Sequence, residues 1–386
     1  MILNVRRSES GDVSSDSLYG RLYVENKALI AMSGGVDSSV AAALMLEKGY
    51  DCIGVTMKLF QNEDVYVSKE HSCCSLDDVE DARSVAYSLH MRHYVFNFSD
   101  DFAAQVIDRF VRAYEKGLTP NPCIDCNRYM KFDLLYRRAR ELDCNYVVTG
   151  HYARTAYDAS TGRHLLLKGK NKEKDQSYVL CFMTQEQIAH TIFPLGEYDG
   201  KEQVRELAQK YGFVNAAKHD SQDICFVQDG DYGSFIEKRT GKTYPSGDFT
   251  DLEGNVLGTH KGMIRYTIGQ RKGLGLSLKK PMYVFRKDME NNRVILADNS
   301  DLFSQVLTAG DFNWISVGQP QCGEELEVTA KTRYRSKEGK ARATLLPDGK
   351  VRVVFDEPQR AITAGQAVVL YDGDIVVGGG TILGEV

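Results

Sequence analysis

Apolar and polar positions fall into repeating blocks over the first two thirds of the chain. A short apolar run, ALIAM (28–32), leads through a glycine turn into SSVAAALMLEKG (38–49), whose Ala/Leu content and closing glycine predict a helix with a glycine C-cap. The β-branched stretch DCIGVTMKLF (51–60) predicts a second strand. SLDDVEDARSVAYSLHM (75–91) predicts a helix capped by Ser75, with acids in its first turns. RHYVFNF (92–98) and NYVVTGH (145–151) predict further strands, and two helices are expected between them, over 99–117 and 130–144. Strands alternating with helices of this length predict an α/β fold with a doubly wound parallel sheet.

Past about residue 220 the pattern changes. A helical KEQVRELAQKYGF (201–213) is followed by Gly-rich text with short strands, 247–276. From about 282 only short alternating runs remain, two of them joined by the turn PDGK (347–350), which predicts a small antiparallel β-barrel. The expected division is a polar extension over 1–24, an α/β domain over 25–225, a small central domain over 226–290 and a barrel over 291–386. No repeat or low-complexity block interrupts it.

The chain has 386 residues and a net charge of −5, which alone does not suggest a nucleic-acid partner. The charge is uneven, however. RYMKFDLLYRRAR (128–140), KGKNKEK (168–174) and KTRYRSKEGKAR (331–342) are locally basic, and a local basic surface suffices for RNA. No apolar run is long enough to span a bilayer, and the first twenty residues lack a secretory core, so a cytoplasmic protein without a membrane partner is expected. Nine cysteines, an odd number, argue against a disulfide scaffold in that setting. The pair Cys123 and Cys126, in TPNPCIDCNRYMKF (119–132), has three readings: half a zinc site, a redox pair or a sulfur-handling site.

SGGVDSS (33–39) sits between a predicted strand and helix. Its glycines let backbone N–H groups turn toward an anion at a helix N-terminus, and its serines add hydroxyl donors. Asp37 is a hard oxygen ligand suited to Mg²⁺ beside a pyrophosphate. The loop is neither a Walker A motif nor GxGxxG.

SGGVDSS resembles the PP-loop of the N-type ATP pyrophosphatases. TPNPCIDCNRYMKF, VVTGHYAR, KDQSYVL, FPLGEYDGKEQVRELA, DSQDICF, RYTIGQRKGLG and AITAGQAVV follow in the order seen in tRNA-specific 2-thiouridylases (the MnmA/TrmU family). The resemblance runs from about residue 27 to the end. It implies a PP-loop domain, a small central domain and a C-terminal β-barrel. It implies a sulfurtransferase that uses ATP and Mg²⁺ to adenylate C2 of the wobble uridine, then delivers sulfur from a cysteine persulfide. The tRNA partners would be Lys, Glu and Gln acceptors, and a cysteine desulfurase or sulfur-relay protein would supply the sulfur.

By the same resemblance ATP is held by Ala31, Met32, Ser33, Gly34, Gly35, Val36, Asp37 and Ser38, with Met57 and Gly150. The target base and tRNA are met by Asn121, Pro122, Cys123, His151, Lys174, Asp175, Gln176, Arg333, Tyr334 and Gln366. Cys126 matches the nucleophile and Cys225 the persulfide carrier. The common family pattern N-P-D-x-x-C-N has Asp where Cys123 stands. Three cysteines around one site, Cys123, Cys126 and Cys225, leave a second mechanism open in which they hold a [4Fe–4S] cluster. A zinc site would need a fourth ligand; Cys73 and Cys74 suit packing at a helix entry. Two other classes stand as alternatives. A PP-loop amidotransferase-type synthetase would not need these cysteines, and a non-catalytic RNA-binding protein would not need the loop.

Overall fold

The structure, a computed structural model, describes residues 26–60, 76–218, 224–227 and 230–384. Cys73, Cys74 and Ser75 lie outside the described residues, as do the first four residues of DSQDICF. In chain order the strands are β1 (Lys27–Ala31), β2 (Asp51–Lys58), β3 (Arg92–Asn97), β4 (Tyr146–Val148), β5 (Ala153–Asp158), β6 (Arg163–Lys168), β7 (Thr191–Ile192), β8 (Gly247–Thr250) and β9 (Val256–His260). They continue with β10 (Tyr283–Asp288), β11 (Arg293–Ala297), β12 (Phe303–Trp314), β13 (Glu325–Lys331), β14 (Gly339–Leu345), β15 (Val351–Arg360), β16 (Ala367–Asp372) and β17 (Ile375–Ile382).

The first sheet has the order β3-β2-β1-β4-β7 and all its pairings are parallel. Successive residues of β1 feed opposite faces: Leu29 joins one apolar cluster, Ala28 and Ile30 another. Both faces of β1 and β2 are covered, which is why these two read as continuous apolar runs, whereas the edge strand β3 is largely exposed. The helix Val36–Glu47 follows β1 directly, with nine buried residues and alanines that let it sit close to the sheet.

Two helical runs carry π-helical segments. The first joins Ser99–Phe102, Ala103–Ile107 and Asp108–Glu115, with Ala103–Ile107 in the wider form. The second joins Pro122–Asp125, Cys126–Leu134 and Leu135–Glu141, with Cys126–Leu134 in the wider form. It therefore begins well before the start at 130 that the apolar spacing predicts. The reason is local: the Asn121 side chain accepts the Cys123 N–H at 3.1 Å, and Pro122 stands in the first turn, where its missing N–H costs nothing.

A small sheet of order β10-β11-β8-β9 encloses Phe249, Tyr266, Val284 and Val294. The strands β12-β15-β14-β13-β16-β17 form a six-stranded antiparallel barrel, closed by pairing of β12 with β17. The turn at PDGK joins β14 to β15 with Gly349 at φ +79°. The β5–β6 hairpin was not foreseen in the hydrophobic pattern. It belongs by sequence to the α/β domain, yet it extends the barrel sheet through Leu167 beside Ile375 of β17. Lys168 of β6 donates to Glu338 and to the Gly373 carbonyl, each at 2.8 Å, and Arg154 of β5 donates to Asp374 at 2.9 Å. Among the described residues no helix is long and apolar enough to cross a membrane.

Candidate active site

The glycine loop leaves β1 at Ala31. Met32 is buried and fixed from both sides: its N–H donates to the Val55 carbonyl (2.8 Å), and Thr56 Oγ1 donates to its carbonyl (2.9 Å). Gly34 has φ +73°, and a Cβ there would overlap the Asp78 carbonyl, so conformation and space both require glycine. Gly35 caps the helix Val36–Glu47. Ser38 Oγ accepts the Ser33 N–H (3.2 Å) and donates to the Gly35 carbonyl (3.0 Å). Asn215 donates to the Gly34 carbonyl and to Ser39 Oγ, both at 2.9 Å. The loop's carbonyls are thus tied back into the protein, and the helix N-terminus supplies N–H groups with no intrahelical acceptor.

The Asp37 carboxylate is held at both oxygens. Its Oδ1 accepts the Tyr152 hydroxyl at 2.9 Å and its Oδ2 accepts Lys201 Nζ at 2.7 Å. Each oxygen keeps a further lone pair, a hard donor that suits a Mg²⁺ carried by the pyrophosphate. The built-in positive charge beside this carboxylate is Lys201, buried at the start of the helix Lys201–Lys210. Gly150, at the end of β4, is glycine for space: a Cβ there would stand 2.8 Å from the Asp37 carbonyl carbon and 2.9 Å from the Ser38 nitrogen. Met57, near the end of β2, packs against the apolar cluster that also contains Phe60, Phe98 and Phe226.

That same cluster receives Cys126 and Cys225, both half-buried. Two thiols that lie far apart in sequence thus pack against one apolar cluster. Burial pushes the Cys126 thiol up to about 11, and the nearby Lys131 ammonium pulls the other way. Lys131 Nζ also lies 3.4 Å from His151 Nε2, while Thr149 Oγ1 meets His151 Nδ1 at 2.7 Å. Burial, with Lys131 adding to it, holds His151 well below the ordinary histidine range and so neutral. Cys123 is exposed. Among the described residues no three His, Cys, Asp or Glu side chains are grouped to hold a metal ion.

Several residues expected to meet tRNA make internal contacts. Asp175 is buried and accepts the N–H groups of Gly169 (3.0 Å) and Ser177 (3.1 Å) and the Ser177 hydroxyl (2.9 Å). Gln176 accepts the Tyr152 N–H at 2.9 Å, and Gln366 donates to the Thr119 carbonyl at 2.7 Å. Arg333 turns its guanidinium inward, onto the carbonyls of Ile268 and Ala361 (3.0 Å each) and the Thr363 hydroxyl. All three bonds are made by Nη2. Tyr334 is half-buried beside Tyr178, with ring centroids 6.0 Å apart. Lys174 is half-buried in the turn held by Asn171. The hydrophobic pattern and motif order did not single out Lys201, Tyr152, Asn215 or Lys131. The first two and Lys131 lie inside quoted motifs, where a lysine or tyrosine at the edge of an apolar run was the available signal.

A parallel sheet with a glycine phosphate loop at its first helix, followed by a small mixed sheet and a closed barrel, defines a HUP-domain enzyme of the PP-loop kind. Family models agree: a tRNA methyl transferase HUP domain matches residues 26–229, a tRNA methyl transferase PRC-barrel domain 233–298 and an aminomethyltransferase beta-barrel domain 304–382. The tRNA-specific 2-thiouridylase MnmA of Clostridioides difficile (strain 630) is 51% identical, over 94% of this chain and 99% of that protein. That of Acetivibrio thermocellus is 52% identical, over 93% and 99%. The chain belongs to the MnmA family of tRNA-specific 2-thiouridylases. Among solved structures, a 4-thiouridine synthetase–RNA complex with bound ATP is 22% identical over 56% of this chain and 50% of that one, at a TM-score of 0.36, too distant to bear on function.

Proposed function

We propose that this protein is an ATP-dependent tRNA sulfurtransferase that makes 2-thiouridine at the wobble position. The observation that carries the reading is the packing of Cys126 and Cys225 on one apolar cluster, in a chain 51% identical to a curated 2-thiouridylase along nearly its whole length. The C2 oxygen of uracil is a poor leaving group. Its attack on the α-phosphorus of ATP expels pyrophosphate and leaves an O-adenylated uridine, from which AMP can depart. The glycine loop and the N-terminus of the helix Val36–Glu47 receive the phosphates. Lys201, oriented by Asp37 and Tyr152, supplies positive charge to the leaving pyrophosphate. Mg²⁺ arrives with ATP and neutralises phosphate charge, and the remaining lone pairs of Asp37 would meet it beside the pyrophosphate.

Sulfur transfer then uses two thiols. An upstream donor, a cysteine desulfurase or relay protein, loads Cys225 as a persulfide. The Cys126 thiolate attacks the Cys225 sulfur, a Cys126–Cys225 disulfide forms, and the terminal sulfur leaves at the thiol oxidation level. That sulfur adds to C2 and AMP departs. An external thiol reduces the disulfide. A Cys126 pKa of about 11 in the absence of substrate means that the thiolate is scarce until the site changes. Lys131 is the cation nearest at hand to favour it.

The test is to supply ATP, persulfide donor and unmodified wobble-uridine tRNA, then measure pyrophosphate and, by nucleoside mass spectrometry, 2-thiouridine. One pyrophosphate per thiolated uridine is expected, with none in the absence of tRNA. Pyrophosphate release driven by small carboxylic acids without RNA would move the protein to the synthetase class.

A further inference from the structure

A cleft of about 260 Å³ opens between the helical run 99–115, the stretch 118–125 and the barrel edge at Ala367 and Thr381. Four cations line it, Arg109, Arg112, Lys116 and Arg128, against one carboxylate, Asp125. A second cleft of about 220 Å³ continues it, since Arg128 and Phe182 line both. Two of the cations are already engaged. Arg128 pairs with Asp311 of the barrel and lies over the Phe182 ring at 4.5 Å, and Arg109 approaches Asp125 at 3.5 Å. Arg112 and Lys116 are exposed and make no ion pair among the described residues. They stand four apart at the end of one helix, so their Cβ atoms are about 5–6 Å from each other on one face.

The position of this groove gives it a use. Asn121 and Asp125 line it, and between and beside them stand Cys123 and Cys126. Chemistry on a base requires the nucleotide to leave its stack, which swings the flanking phosphates toward the protein beside the pocket. Exposed cations without an ion pair are the features that take a phosphodiester backbone.

We propose that this groove holds the phosphodiester backbone flanking the target nucleotide, with Arg112 and Lys116 as the phosphate contacts. This rests on the thiolation reading. An acidic surface of the sulfur donor is the competing occupant, but the groove's place beside the loop that would meet the base favours RNA.

The experiment compares wild type with the double variant Arg112→Gln/Lys116→Gln as full-length proteins. The probe is an RNA stem-loop with uridine at the first anticodon position, and its binding is followed across a salt series. The slope of log K against log salt should become shallower by about 1.4, two contacts at about 0.7 each for single-stranded RNA. ATP affinity should be unchanged, and Arg112→Lys/Lys116→Arg should restore the slope. An unchanged slope, in a wild type that binds this RNA and thiolates it, overturns the groove while leaving the function intact. A wild type without RNA-dependent pyrophosphate release instead overturns the function. If the double variant keeps its RNA affinity but loses turnover only with the protein donor, not with inorganic sulfide, the groove belongs to a protein and the proposal fails.

Discussion

Replacing Lys201 with methionine keeps the length of the side chain and removes its ammonium. In the folded protein that group stands 2.7 Å from Asp37, and the two side chains are 10% and 29% exposed. A fully buried pair costs about 3–5 kcal/mol when one partner is deleted, and an exposed pair about 0–1 kcal/mol. Lys201 is nearly out of water but Asp37 is not, and Asp37 keeps its bond from Tyr152, so a stability loss of about 1–3 kcal/mol is expected. The effect on chemistry should be larger. Removing one preorganised group that stabilises developing charge typically costs about 10²–10³ in rate. Single-turnover pyrophosphate release with saturating tRNA measures that step, and calorimetry measures ATP affinity separately. Lys201→Met should slow release by about that factor while ATP affinity changes far less, because the loop's N–H groups remain. Release within threefold of wild type would falsify the assignment and leave Lys201 as a strut for Asp37. The companion variant Asp37→Asn discriminates further: rescue of its activity by raised Mg²⁺ would show a direct metal role for Asp37.

Three further outcomes are expected. Gly150→Ala forces a methyl to within 3 Å of the Asp37 backbone, so it should cost about 1–3 kcal/mol in thermal unfolding and weaken ATP binding, with stem-loop RNA binding retained; a neutral alanine would mean the helix start can move freely. Burial lowers the Lys287 ammonium to about 8 from an ordinary 10.5, so its unfolded form binds the extra proton between those pH values and stability rises with pH across that window. Lys287→Met should therefore stabilise the protein at pH 7 by up to about 3 kcal/mol, less about 1 kcal/mol for the lost bond to the Tyr266 carbonyl, and the gain should vanish above pH 10.5; a gain that persists there contradicts the account. Cys123→Asp places a carboxylate in the first turn of a helix, where it is tolerated, and should keep substantial thiolation; loss of all activity would show that the Cys123 thiol is itself required.

The strands β1 and β2 were legible because burial on two faces leaves an unbroken apolar signature, and the helix after the glycine loop because alanine and leucine fill it. The β5–β6 hairpin was not, since ARTAYD and RHLLLK mix charge with apolar residues: their partner strand lies far along the chain, and Arg154 and Lys168 are satisfied only by it. The early start of the 122–141 run was hidden by two prolines that look like a loop but act as a helix entry. At the site, motif order pointed to the loop and the cysteines. It could not show that Asp37 is already paired with Lys201, or that Arg333 faces inward, because both depend on contacts between distant segments.

The sharing of β17 between the barrel and the β5–β6 hairpin also orders events during synthesis. β6 is made early, yet its neighbour, the last strand described, follows roughly two hundred residues later. At about 5–20 residues per second that is a wait of roughly 10–40 s. Over that interval Leu166, Phe132 and Phe193 lack the barrel residues Val369, Tyr371 and Val376 that complete their cluster. The nascent α/β domain therefore carries an open strand edge and an unfilled apolar face until β17 arrives. A ribosome stalled before β17 would display that surface to chaperones and proteases, whereas one stalled just after it would not.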